Sequence, residues 1–78
     1  MHMSDPVNVT FRGKPATLTV VRSNGYCWGR IVAHDGQLFD VVTPDNEDLY
    51  ELPDADARER LEECMQFEDL VGPAITWL

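Results

Sequence analysis

A small number of side chains in this sequence have the chemistry that catalysis requires. Cys27 and His34 have the residue types of a nucleophile–base dyad, but nothing in the sequence brings them together. Ser4 and Ser23 have no marked base nearby. The carboxylates are numerous, yet carboxylates on the outer face of a helix lack the burial that would raise a pKa for acid–base work. We therefore expect that the protein is not an enzyme.

Residues that bind metals do not form a recognisable pattern. Cys27 and Cys64 lie 37 positions apart, and there is neither a Cys-x-x-Cys motif nor a histidine pair, which argues against zinc. The acidic run at 45–48 lacks the spacing and the glycine of a calcium-binding loop. We expect no metal and no cofactor. We expect both cysteines to be reduced thiols that are buried in one core.

An aromatic and basic group offers the first of two candidate binding surfaces. Tyr26, Trp28 and Arg30 alternate along one predicted strand and therefore share a face. Such side chains can stack on a base, a sugar or a partner's side chain. The same residues would also suit a packed core beneath a helix, so both interpretations stay open. If this face is exposed, the protein is a small ligand-binding or nucleic-acid-binding module.

Charge is distributed unevenly along the 78 residues, and it provides the second candidate surface. The net charge is −8, with +2 in residues 1–39 and −10 in residues 40–78. A negative field of this kind disfavours nucleic acid and anionic membranes as direct partners, and it favours a protein with a basic surface. The alternative interpretation is that the charge serves solubility alone.

Targeting signals are not evident in the sequence. No apolar run approaches the roughly 20 residues of a membrane-spanning helix. The first residues do not combine a basic start with a long apolar stretch, so we expect no signal peptide and a cytoplasmic protein.

Apolar residues recur at helical spacing in the acidic half, which predicts one helix with an apolar stripe against a sheet. The stripe consists of Ala57, Leu61, Cys64, Phe67 and Val71. Asp54 or Asp56 suits the N-cap of this helix, and Gly72-Pro73 is a typical stop. The acidic residues lie mostly off the stripe, and we expect one solvated face that meets a basic partner. These residues are Asp54, Asp56, Glu59, Glu62, Glu63 and Asp69.

Apolar and polar residues alternate in the first half of the chain, which is typical of half-buried strands. The alternation predicts strands at 7–11, 16–21, 26–33 and 38–43, and residues 49–52 suit a short fifth strand. Glycine-containing turns separate the first four, and their residues tolerate positive φ. The turns are Arg12-Gly13-Lys14, Asn24-Gly25 and Asp35-Gly36. Gly29, inside a strand, indicates a bulge or a close backbone approach.

These elements predict a single α+β domain over residues 4–78, with a cloning remnant included in residues 1–3. The architecture is a bent antiparallel β-meander of about five strands, with the shape of an SH3-like half-barrel, covered by one C-terminal helix. A short final strand or an extended tail follows at 74–78. The leading hypothesis for function is a small acidic module that binds a basic protein surface as an inhibitor or adaptor. A second alternative is a non-catalytic accessory subunit of a larger enzyme.

Overall fold

An antiparallel sheet with a single α-helix on one face makes up the fold. The computed structural model describes residues 1–44 and 49–74, and six strands lie within these ranges. The strands are β1 (His2–Met3), β2 (Val7–Phe11), β3 (Lys14–Ser23), β4 (Tyr26–Val32), β5 (Leu38–Val41) and β6 (Val71–Pro73). Helix α1 spans Asp54–Cys64, and a 3-10 helix spans Glu68–Leu70. The predicted α+β fold with a β-meander is confirmed.

Strand β3 is the centre of the sheet and pairs along both of its sides. β4, β5 and β6 follow on one side, while β1 and β2 pair with different parts of β3 on the other. Ser4 lies in the gap between β1 and β2, where it donates its N–H to Val20 O and accepts from Val20 N at Oγ, both at 2.9 Å. Through the described residues, the sheet is an open path and does not close into a barrel.

The hairpin turns explain why neighbouring strands pair in this register. Arg12 and Gly13 have φ values of 53° and 78°, and Asn24 and Gly25 have 52° and 81°, as two-residue turns of the primed type require. The predicted positive φ at Asn24-Gly25 is confirmed. At the next turn only Gly36 has positive φ, at 86°, and Gly36 N donates to Ala33 O. That turn is one residue longer than the other two, so the positive φ expected for Asp35 is wrong and Gly36 alone adopts it.

The core lies between the sheet and α1. Its centre combines alternate residues of β3, β4 and β5 with the helix residues Ala57, Leu61 and Cys64. Cys64 is buried and Cys27 is half-buried against the same core, and both are thiols rather than a disulfide. The prediction that the two thiols face one core from strand and helix is confirmed, whereas the predicted burial is complete only for Cys64.

The helix is shorter than the apolar stripe predicts. α1 ends at Cys64, and the N–H of Phe67 then bonds to Cys64 O in a tighter turn. Phe67 itself is extended and 56% exposed, so it does not belong to the core stripe. Val71 lies in β6 opposite Val41, and Gly72-Pro73 lies in the same strand instead of stopping a helix. In β6 these backbone groups pair with the edge of β5, so residues 71–73 do not continue the helix.

The segment before the helix also differs from the prediction. Residues 49–52 form a turn, in which Leu52 N donates to Leu49 O, and not a fifth strand. Leu49 is 2% exposed and belongs to the core, so its apolar character serves burial. The predicted polar turn at 45–48, and residues 75–78 of the predicted final strand or tail, lie outside the described residues.

Gly29 allows α1 to approach the sheet closely. A Cβ at this position would lie 2.8 Å from Cγ1 of Val41, 2.9 Å from Cδ1 of Leu18 and 3.3 Å from Cδ1 of Leu61. The register of β4 with β3 runs through Gly29 without interruption, so the glycine marks a close approach and not a bulge.

We predict that Gly29→Ala lowers the free energy of unfolding by about 1–3 kcal/mol, because the added methyl group overpacks the centre of the core. Gly72→Ala is the matched control, since its Cβ would meet nothing within 4 Å and should change stability by less than about 0.5 kcal/mol. Urea unfolding of the two variants measures this difference. Equal stability of the two variants would show that α1 does not rest on Gly29.

Candidate functional site

Arg22 connects the sheet to the start of α1. It follows Ala16, Leu18 and Val20 on the helix-facing side of β3, and its side chain is only 11% exposed. Its guanidinium donates to three backbone carbonyl oxygens and to Oδ1 of Asp54. The distances are 3.2 Å to Leu49 O, 2.6 Å to Tyr50 O, 2.7 Å to Leu52 O, and 3.2 and 2.9 Å to the carboxylate. One side chain therefore fixes both the 49–52 turn and the first residue of the helix.

Asp54 serves this junction and does not cap the helix by a side-chain hydrogen bond. Pro53 occupies the N-cap position, and no side-chain capping hydrogen bond is formed there, by Asp54 or by Asp56. The predicted aspartate cap is therefore wrong. The hydrogen bonds from Arg22 hold the pKa of the Asp54 carboxyl below its ordinary value, and His2 Nε2, 3.6 Å from Oδ2, adds to this effect. The Asp54 carboxylate is therefore engaged within the protein.

One flank of α1 carries most of its exposed acidity. Glu59, Glu62, Glu63 and Gln66 follow at intervals of three and four, so they lie side by side along the helix and its C-terminal turn. All four are exposed, while Ala57, Leu61 and Cys64 face the core, because of the helical period. Two arginines of the same helix form ion pairs with this row: Arg58 with Glu62 at 3.8 Å and Arg60 with Glu63 at 3.1 Å.

This flank forms one wall of a groove of about 560 Å³, and strand β2 forms the other wall. We call it the acidic groove. Four carboxylates and one guanidinium line it, together with apolar and polar residues of both walls. The lining residues are Val9, Thr10, Phe11, Arg12, Glu59, Glu62, Glu63, Met65, Gln66 and Glu68.

Arg12 and Glu68 connect the two walls. The guanidinium of Arg12 bonds to Oε2 of Glu68 at 3.1 Å, and it lies 4.8 and 4.9 Å from the ring centroids of Phe11 and Phe39. Arg12 occupies the positive-φ turn between β2 and β3, so the hairpin directs it across the gap. Four carboxylates and one guanidinium line the groove, and Arg58 and Arg60 pair with two of the carboxylates from outside the lining. The groove therefore keeps a net negative charge even when both of these arginines are counted.

The remaining residues of the predicted acidic face are separated from the groove. Asp56 is exposed near the start of α1 but does not line the groove. Asp69 lies in the 3-10 helix beyond α1 and lines a different depression, of about 240 Å³, beside Asp40 and Val42. The six predicted residues therefore do not form one continuous helix face, and the central three, Glu59, Glu62 and Glu63, form its compact part.

The aromatic and basic trio lies on the sheet face opposite α1, but its members have different surroundings. Tyr26 is 61% exposed, while Trp28 is 3% exposed. Nε and Nη2 of Arg30 donate to the two oxygens of Asp40 at 2.9 and 3.3 Å, and Asp40 is itself 2% exposed. This hydrogen-bonded pair raises the pKa of Arg30. The trio does not present a continuous stacking surface, because the indole is buried and the guanidinium is held by a carboxylate.

Cys27 and His34, the possible nucleophile and base, lie far apart in the structure. Cys27 lies at the beginning of β4, whereas His34 follows the end of that strand. The five residue-to-residue steps from Cys27 to Val32 alone span about 16 Å of extended chain. The two side chains therefore do not form a catalytic pair.

Comparison of the chain with protein-family models, with curated proteins and with solved structures finds no match. Within residues 1–44 and 49–74, no helix has the length and apolar character needed to cross a membrane. The same part of the chain contains no group of three or more histidine, cysteine or acidic side chains arranged to hold a metal ion.

Three residues that shape the site, Arg12, Arg22 and Glu68, are not among the candidates that the sequence offers. An arginine that continues the buried alternation of a strand, as Arg22 does, is a usable signal, because a buried guanidinium requires several acceptors. Arg12 and Glu68 offer no such signal. Their contact depends on how the chain returns to the sheet after Cys64.

We predict that Asp54→Asn lowers stability at neutral pH and that this difference disappears in acid. A carboxyl whose pKa is lowered by folding stabilises the protein above its ordinary pKa, and the contribution is lost as the pH falls through the lowered value. Urea unfolding of both proteins from pH 7 down to about pH 2 checks this. Asp56→Asn is the matched control, because it removes a charge from the same turn without removing an acceptor of Arg22. A constant difference between wild type and Asp54→Asn at all pH values would contradict this interpretation.

Proposed function

We propose that the protein is a small interaction module that binds a basic protein surface through the acidic groove. The observation that carries this proposal is the row of exposed carboxylates Glu59, Glu62 and Glu63 on the flank of α1, facing β2 across a groove that Glu68 also lines. A groove with negative walls attracts lysine and arginine side chains and admits part of a partner between its walls.

Repulsion between these glutamates destabilises α1 in the isolated protein. Glu59 lies three residues from Glu62 and four from Glu63, so like charges are neighbours on the helix surface. Such pairs destabilise a helix by a few tenths of a kcal/mol each, and the ion pairs of Arg58 and Arg60 offset only part of this. A basic partner would relieve the repulsion and would associate rapidly, with a rate that decreases at high salt.

The alternative functions have less support from the described side chains. A ligand-binding or nucleic-acid-binding module would use Tyr26, Trp28 and Arg30, of which only Tyr26 is largely exposed. The role of an accessory subunit stays a prediction and is compatible with the same groove, because a larger enzyme can offer a basic surface.

We predict that neutralising the helix flank abolishes specific capture of a basic partner. The variant Glu59→Gln, Glu62→Gln, Glu63→Gln keeps side-chain size and removes three charges from one wall. It should melt at the same temperature as the wild type or slightly higher, because repulsion is removed. Immobilised wild-type protein should retain a basic protein from a cell lysate at low salt and release it at high salt. The neutralised variant should not retain it.

A matched control removes the same charge elsewhere. Asp5→Asn, Glu51→Gln, Asp69→Asn neutralises three exposed acids that do not line the groove. The control should capture the same protein as the wild type, identified by mass spectrometry. Equal loss of capture in both variants would mean that the partner responds to the net charge of the protein and not to the acidic groove. Retention of the partner by the neutralised variant would refute the proposal.

A further inference from the structure

Among the described residues, strand β2, which forms one wall of the acidic groove, lies at an edge of the sheet. Phe11 and Lys14 flank the two-residue turn, so they form a hydrogen-bonded pair of the antiparallel ladder. The next pair, Thr10 and Pro15, is then a non-hydrogen-bonded pair, which agrees with the missing N–H of proline. By the same alternation, the N–H and C=O groups of Thr10 and Asn8 point away from β3.

These outward backbone groups are available to another chain. In the described part of the protein, β2 pairs with β3 alone, and no backbone hydrogen bond from a turn or loop reaches Asn8 or Thr10. Both residues are exposed. The edge also lacks the usual protection, since none of the five residues of β2 is a proline or carries a charge. At the opposite edge, β6 has three residues and ends in Pro73.

The groove determines what kind of chain suits this edge. A strand added to β2 would lie about 4.8 Å beyond it and would turn alternate side chains toward the helix side of the sheet. On that side stand Glu59, Glu62 and Glu63. Lysine or arginine at every second position would therefore meet carboxylates while the backbone pairs with Thr10 and Asn8.

The geometry points to β-strand addition: the partner's basic surface is an extended segment with lysine or arginine at alternate positions, which pairs with the outer edge of β2 in the acidic groove. This inference rests on the proposed function and specifies how the partner binds. A second copy of this chain is a poor occupant, because pairing of two β2 edges would bring two sets of groove carboxylates together.

A capped peptide of alternating lysine and threonine is the probe for this mode, and titration calorimetry at low salt gives its affinity. The same peptide with N-methyl groups on its central amides keeps its charges but cannot donate strand hydrogen bonds. The N-methylated peptide should bind roughly tenfold more weakly or worse, because it loses at least two hydrogen bonds to the edge.

Substitution of the protein provides an independent test. Thr10→Pro removes an outward N–H without removing a bond to β3, and Thr10→Val is the control that keeps it. Thr10→Pro should weaken binding of the unmodified peptide about as much as N-methylation does, while Thr10→Val should bind it like the wild type. If Thr10→Pro proves unstable, the affinities of the unmodified and the N-methylated peptide for the wild-type protein are the deciding comparison.

The possible outcomes separate the two proposals. Equal affinity for both peptides, together with loss of binding in the Glu59→Gln, Glu62→Gln, Glu63→Gln variant, would refute strand addition and leave charge-driven binding in place. Absence of binding by either peptide, or equal binding by the neutralised variant, would refute both. Concentration-dependent dimers of the protein alone that Thr10→Pro abolishes would make a second copy the occupant and overturn the inference.

Discussion

The position of α1 on the sheet depends on the hydrogen bonds of Arg22. The helix contributes three fully buried side chains, Ala57, Leu61 and Cys64, to the core between it and the sheet. Arg22 fixes the helix start by bonding to Asp54 and to the carbonyl groups of the preceding turn. Because Gly29 has no Cβ, Leu61 approaches the sheet closely at this position, and this close approach sets the distance between α1 and the sheet. Once both are set, the helical period directs the glutamates toward β2.

The position of α1 beside β2 concentrates negative charge from the acidic half of the chain at one place on the surface. The acidic half of the chain contributes α1 and the 3-10 helix, while the first half contributes β2 and the turn with Arg12. The two halves meet at the acidic groove, where Arg12 pairs with Glu68 across the gap. That pair is exposed, so its contribution to stability is small. It leaves the acidity of Glu59, Glu62 and Glu63 uncompensated by the opposite wall, and this asymmetry is the basis of the proposed binding to a basic segment.

Local patterns predicted the elements well and their ends poorly. Asn24-Gly25 defined its hairpin because few residues tolerate positive φ, and the alternation in β3 identified its buried face. The helix end, by contrast, depends on a competition between further helical turns and pairing of 71–73 with β5, which periodicity does not report. The turn at 49–52 looked like a strand because burial of Leu49 and strand character give the same apolar signal. For the site, the acidic row on α1 was predictable from spacing, whereas its alignment with β2 required the fold.

The most direct test of this account is a two-dimensional amide NMR titration of the wild-type protein with the alternating lysine–threonine peptide. Saturable shifts should concentrate at Asn8 and Thr10 and along residues 59–63 of α1, and the N-methylated peptide should shift the helix amides only weakly. Shifts concentrated on the opposite sheet face, around Tyr26 and Val32, would contradict it, as would a titration that does not saturate.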